Sequence, residues 1–160
     1  GQNSPSFEDY HMNRKPPETQ MVKLSDLKVN KEFAPKDDPV FIHLLTEAVR
    51  GRQPVHFATI AFKLLKRFDV DYRPELSVSG KNILEQVIKT WPKGQANPMW
   101  VYQSGDEFIS SDDYFTFAAC EQKKLDQVSC FVFGTPTGKG VTAIQGPLTV
   151  EQIKKSLGFS

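Results

Sequence analysis

The sequence contains only two cysteines and three histidines among its 160 residues, and it has no long apolar run. Two cysteines are too few for a disulfide framework or for a structural zinc site. A membrane-spanning helix needs about 18 consecutive apolar residues, so we expect no membrane insertion. The sequence also lacks an excess of one charge, because 20 basic and 19 acidic residues leave a net charge of +1. This balance excludes nucleic-acid binding through bulk positive charge but leaves a local basic patch open.

Phenylalanine, in contrast, is abundant. Twelve Phe in a chain that is 39% hydrophobic supply enough bulky side chains for one buried core. Residues 1–20 contain three prolines and no hydrophobic periodicity, which predicts a mobile N-terminal segment. Such a segment fits a cytoplasmic chain, which we prefer, and it also fits a chain exported after removal of a signal peptide.

Helix signals dominate the first half of the sequence. Asp38 and Pro39 predict an N-cap and a first helical turn, in a helix that ends near Gly51. The apolar spacing over residues 54–68 predicts a second helix. We therefore expect a helical hairpin over residues 39–73.

The second half mixes helix and strand signals, which predicts an α+β fold. A β-hairpin is expected over residues 99–110 and a buried strand over 128–133, with a short strand at 21–27 near the N-terminus. Further helices are predicted over residues 80–91, from Asp112 or Asp113 to about Lys124, and from Thr149, whose pairing with Gln152 fits a capping box. The Gly- and Thr-rich residues 134–146 predict a loop.

Gly134 to Lys139 follows a predicted strand and superficially looks like a phosphate-binding loop. The interval between its glycines is too short, Pro136 removes an amide donor, and Gly140 stands where the magnesium-binding Ser or Thr is needed. We interpret this segment as a flexible loop.

The histidines and cysteines do not form a recognisable site. His43 and His56 lie in separate predicted helices, His11 lies in the N-terminal segment, and no ligand pair has helical spacing. Cys120 and Cys130 have no neighbouring His to serve as a base, so we interpret them as core residues and leave a disulfide between them open. We expect no catalytic residue, no metal and no cofactor.

Charge is distributed unevenly along the chain. Residues 40–73 carry six basic and three acidic side chains, whereas residues 104–127 carry six acidic side chains and two lysines. We prefer to interpret the basic region as the solvated side of the hairpin, with a phosphate-binding face as the alternative. The candidate basic surface consists of Arg50, Arg52, Lys63, Lys66 and Arg67.

A spaced pattern begins in the helix predicted over residues 80–91. Leu84 and Ile88 lie four residues apart, Pro98 follows Gly94 by four residues, and Val101 follows three residues later. This pattern resembles the ParB/sulfiredoxin superfamily, in particular its ParB-like nuclease-type domain, with a longer gap before the glycine. The resemblance implies a small mixed sheet with packed helices over residues 21–134, with 39–73 as a helical insertion and 135–160 as a loop and C-terminal helix.

The family motif Asp-Gly-x-His-Arg-x-x-Ala corresponds to residues 112–119, where only the first Asp and the last Ala match. Asp113, Phe115 and Thr116 replace the Gly, His and Arg. The resemblance implies that this helix start is the ligand pocket, and that its phosphate grip is lost. The candidate pocket residues are Asp112, Asp113, Tyr114, Phe115 and Thr116.

Residues 117–122 are also textually similar to the sulfiredoxin motif Phe-Gly-Gly-Cys-His-Arg, which would make Cys120 catalytic. Only the register that starts at Asp112 reaches Val128 at the family's distance from motif to last strand. We therefore prefer Cys120 as a packing residue.

Three functions follow from these patterns. The preferred one is a non-catalytic ParB-like binding or interaction module for an unidentified protein or small molecule. The alternative is a metal-assisted nucleotide-binding, phosphoryl-transfer or nuclease-type enzyme, in which Asp112 and Asp113 hold the metal and Thr116 contacts the substrate. The third is a nucleic-acid-binding accessory protein that uses the 39–73 hairpin.

Overall fold

The computed structural model describes residues 35–158, which form four α-helices and one six-stranded mixed sheet. The predicted α+β class is therefore confirmed. The mobile segment and the strand predicted within residues 1–27 lie outside the described residues. The helices are α1 (Pro39–Val49), α2 (Val78–Lys89), α3 (Tyr114–Gln122) and α4 (Val150–Ser156). The strands are β1 (Val55–Ala61), β2 (Leu65–Arg67), β3 (Met99–Ser104), β4 (Glu107–Ser110), β5 (Gln127–Phe133) and β6 (Val141–Gln145).

The sheet has the strand order β2-β4-β3-β5-β1-β6. The β3–β4 hairpin is antiparallel, as the turn signal predicts, and β5 pairs in parallel with β3 and antiparallel with β1. At the two edges, β2 pairs in parallel with β4, and β6 pairs antiparallel with β1. The strand predicted over residues 128–133 is confirmed as a central strand of the sheet.

Both faces of the sheet are buried, because side chains alternate along its central strands. On β5, Val128, Cys130 and Val132 join a core that also contains side chains of α2 and α3. Phe131 and Phe133 point the other way and join a second core with side chains of α1 and α4. The chain thus forms three layers, with the sheet between two pairs of helices.

The helical hairpin predicted over residues 39–73 is wrong. Its first helix is α1, capped by Asp38 as predicted, but the segment predicted as its second helix contains β1, a short 3-10 turn and β2. Five of the seven β1 residues are apolar, and every residue from Val55 to Ile60 is buried except half-buried Thr59. A strand buried on both faces has no polar alternation, and its apolar residues also satisfy helical spacing.

The loop predicted over residues 134–146 is wrong in its second part, where the chain forms β6 and joins the sheet beside β1. The predicted start of the C-terminal helix is confirmed. The Thr149 hydroxyl accepts from the Gln152 amide at 3.1 Å, and the Gln152 side chain accepts from the Thr149 amide at 2.8 Å. This reciprocal capping box satisfies two amides that the first turn of a helix leaves without partners.

None of the helices between residues 35 and 158 has the length and hydrophobicity that crossing a membrane requires.

The aromatic cluster on β5 gives the first testable prediction. The Phe131 ring stacks on Trp100 at 4.5 Å between ring centroids and meets Phe57 edge-on at 5.1 Å. Replacing Phe131 by Ala leaves a cavity, so we expect the free energy of unfolding to fall by about 3–5 kcal/mol in urea titrations. Val40→Ala, at a position 48% exposed, is the control and should change it by less than about 0.5 kcal/mol. Equal effects of the two substitutions would contradict burial of β5 on both faces.

Candidate functional site

Three segments meet where β2 and β4 end and where α1 and α3 begin. The Phe68 amide donates to the Ser110 carbonyl at 2.8 Å, which continues the parallel pairing of β2 and β4 by one bond. The Asp69 amide then donates to the Tyr114 hydroxyl at 3.1 Å. The Lys36 amide donates to the Asp69 carboxylate at 2.9 Å and brings in the segment that precedes α1. This junction contains the pocket residues predicted from the sequence.

The N-terminus of α3 is capped by its own chain. The Asp113 carboxylate accepts from the Thr116 amide at 2.9 Å and from the Thr116 hydroxyl at 2.7 Å. An N-cap carboxylate satisfies free amides and opposes the positive end of the helix dipole. Burial raises the pKa of Asp113, and the two bonds from Thr116 counteract that rise. The position at which an external anion would meet this helix is therefore already occupied by the Asp113 carboxyl group.

The five predicted pocket residues differ widely in exposure. Asp112 is exposed and Asp113 is half-buried, whereas Tyr114, Phe115 and Thr116 are buried. Phe115 packs in the core that α2 and α3 share with the sheet. Thr116 is 1% exposed, and its hydroxyl is bonded to Asp113. Of the five residues, Asp112 is the one most open to solvent.

Asp112 carries an unusual carboxyl group for an exposed residue. Desolvation of its carboxyl group by the neighbouring protein atoms is the larger cause, and the negative charge of Asp113 is the smaller one; together they raise the pKa of Asp112 to about 6. No ion pair or side-chain hydrogen bond to the Asp112 carboxylate occurs within residues 35–158 to offset that effect. Ionised Asp112 therefore opposes folding at neutral pH.

Asp38 links α1 to the segment that leads into α3. One carboxylate oxygen accepts from the amides of Val40 and Phe41 at 3.0 and 3.3 Å, which caps α1. The other oxygen accepts from the Tyr102 hydroxyl at 2.7 Å and from the Ser111 hydroxyl at 2.5 Å. Burial and then the bond to Asp38 raise the pKa of Tyr102, so its hydroxyl stays protonated and remains a donor.

A buried cation lies beside α3. The Arg67 guanidinium donates to the two oxygens of Glu75 at 3.1 and 2.7 Å and to the Tyr72 carbonyl at 3.1 Å. It also lies 5.7 Å from the centroid of the Tyr114 ring and 5.0 Å from that of Phe117. A bidentate pair of this kind fixes the geometry of both side chains, so Arg67 holds the loop after β2 against α3.

The predicted basic surface is dispersed. Arg50 and Arg52 precede β1, whereas Lys63 and Lys66 follow it, and a seven-residue strand spans roughly 20 Å. Arg52 pairs with Glu47 at 3.1 Å and Lys66 with Glu107 at 3.8 Å. Arg67 is buried in its pair with Glu75. The five cations therefore do not form one face, because the helical hairpin that would align them does not exist.

The described residues contain no group of three or more His, Cys, Asp or Glu that could hold a metal ion. His56 is tied to the end of β5, with its Nδ1 atom 2.8 Å from the Gly134 carbonyl. Cys120 and Cys130 are buried free thiols. Burial and then the charge of Asp113 raise the pKa of Cys120 to about 12, and a thiol held neutral is a poor nucleophile.

Two features of this junction were missed by sequence reasoning. The buried pair of Arg67 with Glu75 had a weak signal, since the alternation Leu-Lys-Arg in β2 places Arg67 on the buried side with Leu65. The hydrogen bond from Ser111 to Asp38 had no signal in the sequence, because the two residues lie 73 positions apart.

No protein-family model, no curated protein and no solved structure matches this chain.

The pair of Arg67 with Glu75 gives a prediction on stability. Glu75→Ala leaves a buried guanidinium without its main partner, so we expect the free energy of unfolding to fall by about 3–5 kcal/mol in urea titrations. Glu107→Ala breaks the exposed pair with Lys66 and should change it by less than about 1 kcal/mol. A small effect of Glu75→Ala would show that Arg67 does not depend on this pair.

Asp112 gives a prediction on pH dependence. Its pKa is raised in the folded state, so its charge opposes folding above pH 6, and this effect disappears as the pH falls towards the unfolded value of 3.8. After a discount for solvent screening, we expect Asp112→Asn to stabilise the fold at pH 7.5 by about 1 kcal/mol, or ~2–4 °C in Tm. At pH 4 the gain should vanish. A gain of equal size at both pH values would rule out the charge as its cause.

Proposed function

We propose that the chain is a non-catalytic binding or interaction module of ParB-like type whose phosphate grip has been lost. The observation that carries this proposal is the bonding of the Asp113 carboxylate to the amide and hydroxyl of Thr116 at 2.9 and 2.7 Å. In the family that the sequence resembles, a Gly and an Arg near these positions admit and bind phosphate. Here a carboxylate of the chain itself takes the place of the anion.

The electrostatics of the helix start support this proposal. A phosphate placed about 4 Å from one carboxylate is opposed by about 4 kcal/mol at an effective dielectric constant near 20. Asp112 adds a second carboxylate beside the first. Arg67, the buried cation beside α3, already forms a bidentate pair with Glu75 and so is not available to offset this repulsion.

The order of elements also supports a ParB-like origin. Residues 84–133 form the sequence helix, β-hairpin, helix and strand, which is the order that the resemblance implies. Leu84 is buried on α2, Val101 on β3 and Val128 on β5. These pattern residues therefore occupy core positions, where a family would be expected to keep apolar side chains.

The two other functions have less support. The metal-assisted enzyme requires Asp113 and Thr116 to leave each other, because each is the other's hydrogen-bond partner. The nucleic-acid-binding protein requires a continuous basic face, whereas its candidate cations lie at both ends of β1 and three of them are paired. Neither arrangement offers phosphate a preorganised site.

Nucleotide titration tests the proposal. We expect the Tm of the full chain to change by less than about 1 °C with ATP, CTP or GTP and Mg²⁺, because a ligand raises Tm only by binding the folded state. Inorganic pyrophosphate should behave in the same way. A rise in Tm that saturates with any of these ligands would overturn the proposal in favour of the enzyme.

Asp113→Ser is the matched variant, because serine retains an N-cap oxygen without the charge. If the carboxylate is what excludes anions, pyrophosphate should raise the Tm of this variant at low salt while the wild type stays unchanged. The Thr116→Ser variant keeps the hydroxyl donor to Asp113 and serves as the control, with no response expected. A variant that remains unresponsive would show that the loss of phosphate binding does not depend on Asp113.

A further inference from the structure

Within the part of the chain that the structure describes, the outer edge of β6 is the least protected strand edge of the sheet. β6 hydrogen-bonds to β1 on one side, and its other side has no ladder partner within residues 35–158. Four of its five residues are exposed, including Ile144, which is 47% exposed. Free N–H and C=O groups along a strand edge form a template for another strand.

β6 also lacks the residues that normally protect an edge. Its sequence, Val-Thr-Ala-Ile-Gln, has no charge and no proline. The opposite edge strand, β2, has only three residues, and exposed Lys66 lies at its centre. Short length and an exposed lysine are common means of blocking edge pairing. Among residues 35–158 the two edges therefore differ, and the β6 edge is the open one.

We propose that β6 pairs antiparallel with β6 of a second copy of this chain, which joins the two sheets across a two-fold axis. This inference rests on the proposed interaction function and names a partner for it. An uncharged strand pairs with itself without placing like charges opposite one another. A two-fold axis at Ala143 sets Thr142 opposite Ile144, a favourable pair of β-branched side chains, and sets Lys139 opposite Pro147.

A bulge limits the strength of this contact. Between the pairs Phe57–Gln145 and Thr59–Thr142, β6 has two residues where β1 has one, and Ala143 there has a φ of 53°. A bulge bends and twists its strand, which shortens the stretch available for pairing. The dimer is accordingly weak and reversible, with a Kd on the order of 10⁻⁴ M, as expected for a small interface.

Sedimentation equilibrium of the full chain from about 5 µM to about 1 mM tests this proposal. We expect a monomer–dimer equilibrium, and hydrogen exchange should slow at residues 141–145 as the concentration rises. Ile144→Lys places two like charges close to the shared edge and should raise the Kd at least tenfold. The matched control is Leu76→Lys, at a position 68% exposed in the loop before α2, and it should leave the Kd unchanged.

Three results would overturn self-pairing: a monomer at every concentration, a dimer that tolerates Ile144→Lys, or a dimer weakened equally by Leu76→Lys. A monomer whose β6 amides are protected only by an added Val-Thr-Ile-Thr-Val peptide would also overturn it and would assign the edge to another partner. The proposed function and the self-pairing are overturned by different results. A monomer that binds no nucleotide leaves that function standing, whereas a nucleotide-binding dimer overturns the function and leaves the self-pairing.

Discussion

The rest of the structure depends on the burial of one sheet on both of its faces. β5 sends Val128 and Cys130 into one core and Phe131 and Phe133 into the other, so two helices must cover each side. The chain must then cross from one layer to the other at the ends of strands. The junction of the segments before α1, after β2 and before α3 is one such crossing, and it is where polar side chains are gathered and hydrogen-bonded.

The same burial explains how far the fold could be predicted from the sequence. Elements with local chemical signals were predicted correctly, including the cap at Asp38, the β3–β4 hairpin and the capping box at Thr149. β1 was not, because a strand covered on both faces lacks polar alternation and its apolar spacing imitates a helix. β6 was missed for the opposite reason: it is exposed on nearly every residue and has no apolar pattern.

The candidate site divides in the same way. The cap on α3 depends on residues three positions apart, so the sequence alone could narrow it to Asp112 or Asp113, and the structure shows Asp113 in that role. The burial of Phe115 and Thr116 could not be predicted in this way, because it depends on which face of α3 packs against the rest of the protein. The Arg67–Glu75 pair was missed because the sequence analysis placed Arg67 on the solvated face of a helix. Its burial depends on β2, which contains Arg67, lying beside β4 in the sheet. Contacts between distant segments carry no local signal at all.

Asp38 has a mechanical consequence. One of its oxygens holds the first turn of α1, which lies in one helical layer, and the other holds Ser111, which leads to α3 in the other layer. Sliding of either layer along the sheet would stretch the short bonds to this single carboxylate. The two layers are thereby braced against shear at the end of the molecule where the chain crosses between them. Because the oxygen that accepts from Ser111 also accepts from Tyr102 of β3, this one carboxylate couples both helical layers to the sheet as well as to each other.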